Sequence, residues 1–382
     1  MTRILVVGAG IAGLALAGAL GDADCDIEIV ERHHEIEGDG VGIVLMPNGV
    51  AALERLGLGD DVRAHGTEIR VLELERGAER LQLSLAEIWR GCAQPTIAIR
   101  RSELHRLLAS RLASRGPAEV RVSAGRTVIA VESIDRGPLA RFADGTSESY
   151  DLVVGADGVR SVVRRALHPE AEAAPTGLYY FRFLSRAWSG TPADVWRSVE
   201  RRDAAFGHIP VGDGRLHCFV QLRRATPPCA AGDEDEYFRA GPCAWDETLA
   251  QAYDRRCGVL RAGAAMIVNP IRWGRGACVL LGDASHALSP TLSEGGSLAL
   301  EDAIVFADAL GQAADPSGVV ERYADARRPR VEWAHRMAMA QLAAVARGRT
   351  QALPQRQSAI DYMTQLYRPL CGDLSPARRE SV

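Results

Sequence analysis

Residues 4–13 read Ile4-Leu5-Val6-Val7-Gly8-Ala9-Gly10-Ile11-Ala12-Gly13. Four consecutive apolar residues suit a strand buried on both faces, and the glycines after them fit GxGxxG. Ile11 to Leu20 continues as an alanine- and leucine-rich helix, and Ile27-Glu28-Ile29-Val30 is the next strand. Strand, glycine turn, helix and strand in this order make a dinucleotide cradle. Gly8 permits the tight turn, Gly10 lets the backbone approach a pyrophosphate, and Gly13 lets helix and strand pack closely. The helix start offers free N–H groups and partial positive charge to the phosphates. Glu31 closes the second strand 18 residues after Gly13, with Arg32 beside it. A carboxylate there suits an unphosphorylated ribose. This stretch alone fits FAD and NAD equally.

Beyond it, the pattern predicts helices over 48–56 and 101–114 and short strands over 121–123, 128–134 and 140–142. Leu152-Val153-Val154 is a second strongly apolar strand, ending in Gly155-Ala156-Asp157-Gly158. The character changes near Pro175. Residues 176–272 alternate in shorter segments interrupted by Pro and Gly, which suits a largely antiparallel sheet. A parallel-type strand returns at 277–281, followed by a glycine-rich loop, a helix over 298–310 and a mostly helical stretch over 318–370. The expected organisation is a discontinuous nucleotide-binding domain, residues 1–174 and 273–370, with a β-rich domain, residues 175–272, inserted in it. Residues 371–382 read as a flexible tail.

Composition narrows the chemistry. The 382 residues suffice for two intertwined cores. A net charge of −4 gives no reason to expect a nucleic-acid partner. No lysine occurs, so chemistry needing a side-chain amine is excluded. The eight cysteines form no CxxC pair, which points away from a metal site and towards free thiols in a cytoplasmic protein. No run approaches the ~18 apolar residues of a membrane helix.

Two later segments separate FAD from NAD. Residues 151–164 read DLVVGADGVRSVVR, and residues 276–302 read GACVLLGDASHALSPTLSEGGSLALED. With the N-terminal cradle, these resemble the three fingerprints of single-component FAD-dependent aromatic hydroxylases of the p-hydroxybenzoate hydroxylase fold, such as salicylate hydroxylase and N-heteroaromatic monooxygenases. The resemblance spans roughly residues 3 to 345. It implies an α/β fold: a Rossmann-like, discontinuous FAD-binding domain of the GR2 type, an inserted β-rich substrate domain and C-terminal helices.

The resemblance also implies roles. Asp283, after Gly282, binds the ribityl chain of FAD. Pro290 and the loop to Gly295 and Gly296 bring backbone N–H groups to the flavin's pyrimidine edge. Asp157 and Gly158 lie by the pyrophosphate, with Arg160 and Arg164 as nearby cations. Arg101, which opens RSELHRLL, contacts FAD, with the adjacent Arg100 as its competitor for that role, and Gly42 of the Gly40–Ile43 segment runs beside the ring system. Arg182 is a candidate for binding a substrate carboxylate or phenolate, and a salt bridge between domains is its other reading. Tyr179, Tyr180, His208, His217 and Gln221 alternate on candidate strands. His286 is a candidate general base, with a structural hydrogen bond as the alternative.

The implied activity is hydroxylation of a small aromatic or heteroaromatic compound with NADH or NADPH and O2, through a flavin C4a-hydroperoxide. A flavin-dependent reductase or dehydrogenase on the same fold is the alternative. The absence of lysine argues against a flavin-dependent halogenase. A monomer or homodimer without membrane or metal is expected. Two departures from the family pattern stand out, Ala287 after His286 and Ser293-Glu294-Gly295 where Gly-Gln-Gly is common.

Overall fold

The computed structural model describes residues 2–36, 41–112, 119–135, 137–201, 203–242, 246–258, 260–268, 273–313, 315–346 and 353–371. Its first layer is the parallel sheet that the cradle requires. Thr2–Val7 lies at the centre, hydrogen-bonded to Cys25–Glu31 on one side and to Leu152–Gly155 on the other. Cys278–Leu280 extends the sheet beyond Leu152–Gly155, and Glu119–Ala124 forms the edge beyond Cys25–Glu31. Strands distant in sequence therefore end side by side. The glycine motifs at 8–13, 155–158 and 282–283 emerge from neighbouring strands on one edge of the sheet, where α/β proteins bind ligands.

The central strands are apolar on both faces because both faces are covered. Ile11–Ala19 and Gly295–Leu310 pack on one face, and Leu14, Leu16, Leu300 and Phe306 are buried there. A three-stranded antiparallel sheet, Val128–Glu132, Leu139–Phe142 and Ser147–Ser149, covers the other. The strand expected at 121–123 is therefore not part of that small sheet; it adds in parallel to the main one.

The second layer is a seven-stranded sheet. Its order is Arg261–Ile267, Ala174–Arg186, Arg215–Leu222, Ala204–Pro210, Val195–Glu200, Val71–Arg76 and Glu79–Ser84. All pairings are antiparallel except Val195–Glu200 with Val71–Arg76. The division at residue 174 is thus corrected: two strands of the β-rich layer come from residues 71–84. Their alternation, with Leu72 and Leu74 inward and Glu73 and Glu75 between them, is a strand signal. Pro316–Ala346 and Arg356–Tyr367 are helical and close the space between the two layers. No helix among the described residues is long and apolar enough to cross a membrane.

One cysteine expectation is overturned. Cys92 and Cys371 form a disulfide. They lie 279 residues apart in sequence, so no spacing motif announces them. The fold joins them by seating the end of Arg356–Tyr367 against the segment around Trp89, whose ring packs edge-on to Tyr367 at 4.8 Å.

Candidate active site

The cradle is built by backbone proximity. Gly8 adopts φ +105°, and a Cβ there would stand 2.6 Å from the Ala156 carbonyl oxygen. A Cβ on Gly13 would stand 2.0 Å from the Gly8 oxygen. Gly10 is different: nothing lies within 4 Å of its Cβ position, and it borders a cavity of about 1370 Å³. Its open side is the space that a pyrophosphate would take. Glu31 accepts from the backbone N–H of Ala9 at 3.0 Å and of His33 at 3.0 Å, so its carboxylate also braces the turn. Arg32 does not border the cavity; its Nε donates to His33 on the surface.

The second and third motifs meet at the same cavity. Gly158, at φ +73°, is in its wall. Asp157 is not: its Oδ2 accepts from the Val162 N–H at 2.6 Å, and burial pushes its carboxyl group up. Arg164, expected as a helper cation, is buried. It donates to the carbonyls of Ala284 at 2.9 Å and Ala171 at 3.1 Å, bolting the second motif to the third. Gly282, at φ +57°, turns the chain so that Asp283 faces the cavity. Asp283 Oδ1 lies 3.8 Å from the Cβ position of Gly295, at the open start of Gly295–Leu310. Pro290, Gly295, Gly296, Gly42 and Arg101 complete this wall. Gly40 lies outside the described residues. This arrangement fits FAD: a glycine cradle open only at Gly10, a carboxylate at Asp283 and unpaired helix N–H groups at Gly295 and Gly296.

His286, carried as a candidate base, does not reach the cavity. Its Nε2 donates to Asp302 Oδ2 at 2.6 Å, with both residues fully enclosed. The same oxygen accepts from the Gly282 N–H at 2.8 Å, and Asp302 Oδ1 accepts from Arg327 Nε at 2.7 Å. Arg327 continues to Glu301 at 2.7 Å, which also accepts from Arg330. Burial alone would raise the Asp302 carboxyl, but the neighbouring His286 and Arg327 hold it well below the usual range. This network anchors the loop that presents Asp283. Its sequence signal was the acidic pair Glu301-Asp302 inside an apolar helix, which is tolerated only when paired.

The opposite wall is the inner face of the seven-stranded sheet, in rows set by strand register. One row runs Arg182, Phe219, Gly207, Ser198, Leu74, and the next runs Tyr180, Gln221, Ala205, Glu200, Arg76. Gly207 has no room for a side chain: a Cβ there would stand 2.1 Å from the Arg197 carbonyl oxygen and 3.0 Å from Phe219 Cζ. Tyr180, His217 and Gln221 face the cavity, whereas Tyr179 and His208 do not. Leu72, Leu83, Leu85 and Trp89 make an apolar flank. The guanidinium of Arg182 rests 4.4 Å from the centre of the Tyr180 ring and has no carboxylate partner among the described residues. The interdomain salt bridge considered for it is not formed among the described residues.

Comparison with known proteins agrees with this geometry. Residues 1–338 match the family described as FAD binding domain. The chain is 34% identical to 3-amino-4-hydroxybenzoate 2-monooxygenase of Streptomyces cremeus, over 88% of this chain and 86% of that one. It is 31% identical to 2-heptyl-3-hydroxy-4(1H)-quinolone synthase of Pseudomonas aeruginosa, covering 80% and 79%. Among solved structures, a single-residue variant of Klebsiella pneumoniae HpxO complexed with FAD superposes with a TM-score of 0.82 at 25% identity, covering 98% of this chain and 100% of that one. The chain belongs to the FAD-binding family of aromatic monooxygenases with the p-hydroxybenzoate hydroxylase fold, and it is an FAD-dependent oxidoreductase.

Proposed function

We propose that this flavoprotein hydroxylates a small aromatic or heteroaromatic compound at the expense of NADH or NADPH and O2, and that Arg182 anchors an anionic or strongly polarised oxygen of that substrate. The observation that carries this reading is the unpaired guanidinium of Arg182 in the cavity wall. A desolvated cation without a counter-ion costs free energy unless a ligand supplies the charge. Burial and the neighbouring Arg101 both act against its protonated form, which sharpens that demand. Relatives named for an aminohydroxybenzoate and a hydroxyquinolone support substrates that combine a flat ring with such an oxygen.

Bound FAD supplies the redox chemistry and the activation of oxygen. The chain's residues bind, orient and keep the site dry. In this reading Gly10 and Gly158 receive the pyrophosphate, Glu31 the adenosine ribose, and Arg101 and Asp283 hold the chain between phosphate and ring. Backbone N–H groups at Gly295 and Gly296 face the ring's polar edge and favour negative charge there. Pro290 shapes the loop over the substrate. Tyr180 donates to Gln221 at 2.6 Å, which fixes the ring beneath Arg182. Leu72, Leu83 and Trp89 exclude water from the flank. A cytoplasmic monomer or homodimer is part of the same reading.

The test is oxygen uptake coupled to NADH or NADPH oxidation across a set of hydroxybenzoates and hydroxyquinolines. A substrate should stimulate both and appear with one added oxygen. Substrate turnover without O2 would replace the hydroxylase reading with a reductase or dehydrogenase. Arg182→Leu should raise KM for anionic substrates about 10- to 100-fold.

A further inference from the structure

His217 lies on Arg215–Leu222, one register step from the row that holds Arg182. It pairs across the sheet with Leu184, while Phe219 pairs with Arg182, so His217 and Arg182 are diagonal neighbours on one face. The Gly42 backbone N–H donates to His217 Nδ1 at 3.2 Å. An N–H group can only donate, so Nδ1 must carry a lone pair. The ring is then the neutral tautomer with its proton on Nε2. Burial, helped by the nearby Arg182, pushes the imidazole down to about 3, in agreement with that geometry.

Gly42 lies tight against the base of the ring. A Cβ on Gly42 would stand 2.4 Å from His217 Cβ and 2.8 Å from its Cγ, so this contact exists only because residue 42 is glycine. Val211 closes the same spot at 2.8 Å. His217 is 8% exposed, and it borders the cavity. Among the described residues no other hydrogen bond engages its ring.

We infer that His217 is a substrate-selecting donor: its Nε2–H, held in one tautomer by Gly42, works beside Arg182 to recognise an acceptor-only oxygen (phenolate, carboxylate or ring carbonyl) on the aromatic substrate. This rests on the hydroxylase reading above. Arg182 and His217 offer donors and no acceptor, so a ring oxygen with free lone pairs satisfies both. A ring without one leaves two buried donors unpaired, and the cost of unpaired donors makes such a site selective. The contact also ties the segment expected beside the flavin to the substrate sheet, so one residue senses both walls.

The experiment uses FAD-loaded protein, wild type and the variants His217→Leu and His217→Gln. Dissociation constants for 3-amino-4-hydroxybenzoate and 4-quinolone, and for the acceptor-free, oxygen-free rings toluene and naphthalene, are read from flavin absorbance changes. In His217→Leu, the oxygen-bearing probes should bind about 10- to 100-fold more weakly. The oxygen-free rings, relieved of one unpaired donor, should bind at least as tightly as in wild type, and Gln, which can accept from Gly42 and donate to the cavity, should restore most of the loss. Equal weakening of all probes, unchanged affinity, or altered flavin content without substrate would overturn the inference. If wild type binds none of the four, the hydroxylase reading itself fails for these classes and the inference falls with it. Nitrogen-15 NMR of ring-labelled holoenzyme gives an independent check. A neutral Nε2–H ring at pH 7 supports the assignment, and an imidazolium or Nδ1–H ring overturns it.

Discussion

Asp302 accepts from His286 Nε2 at 2.6 Å through the same oxygen that receives the Gly282 N–H, and its other oxygen receives Arg327 at 2.7 Å. One buried carboxylate thus connects the loop that presents Asp283 to the long helix Pro316–Ala346. Replacing it with asparagine keeps the shape and removes the charge. The Arg327 guanidinium retains Glu301 but loses half of its compensation. Asp302→Asn should lower stability by about 3–5 kcal/mol, read by chemical denaturation, and should weaken flavin retention. Unchanged stability would mean that the network contributes nothing beyond packing.

Glu294 stands where the family commonly has glutamine, and it does not border the cavity. Its Oε2 accepts from Asn48 Nδ2 at 3.1 Å, and its Oε1 has no partner among the described residues. Burial, and then the Glu301 charge, push its carboxyl up to about 8. The folded state therefore binds a proton that the unfolded chain releases near 4.5. The stability from this group is complete below about pH 4.5 and is lost as pH rises through about 8. Glu294→Gln should flatten that part of the stability profile and leave the variant more stable than wild type at pH 8–9. A parallel profile in both proteins would show that Glu294 is ionised throughout.

Asp283 faces the cavity beside the open start of Gly295–Leu310. Asp283→Ala removes a charged acceptor without touching a packed core. FAD affinity should fall by about 10- to 100-fold, measured by fluorescence on titrating apoprotein with FAD. Thermal stability of the apoprotein should stay near wild type. Undiminished affinity would remove Asp283 from the flavin site.

The Cys92–Cys371 disulfide closes most of the chain into one loop. Alkylation without reductant should modify two fewer thiols than alkylation after reduction. Cys92→Ser should cost about 2–4 kcal/mol of stability. It should also raise KM, because the helix Arg356–Tyr367 borders the cavity and Tyr367 donates to the Leu292 carbonyl at 3.1 Å. If every thiol alkylates at once, the pair is not formed in solution.

The local readings that survived are those in which a few consecutive residues carry the whole physical demand. Gly8 and Gly13 were legible because a tight turn and close helix packing each need a missing side chain at a fixed offset. Buried strands were legible at 4–7 and 152–154 because a sheet covered on both faces needs unbroken apolar runs. The glycine-aspartate pair at 282–283 was legible for the same reason as the cradle: it ends such a strand.

What the tertiary structure alone decided depends on partners distant in sequence. His286 reads as a candidate base or as a structural hydrogen bond until Asp302 is seen to hold its Nε2. Arg182 reads as salt bridge or substrate anchor until the register of the sheet turns it towards the cavity without a carboxylate. Residues 71–84 read as part of the first domain until their edge pairs with Val195–Glu200. His217 owes its tautomer to Gly42, 175 residues away. Sequence by itself determined the flavin cradle, because backbone geometry is a local property of glycine. Only the fold decided which side chains line the cavity, because that depends on charge compensation and hydrogen bonds across strands that no spacing rule connects.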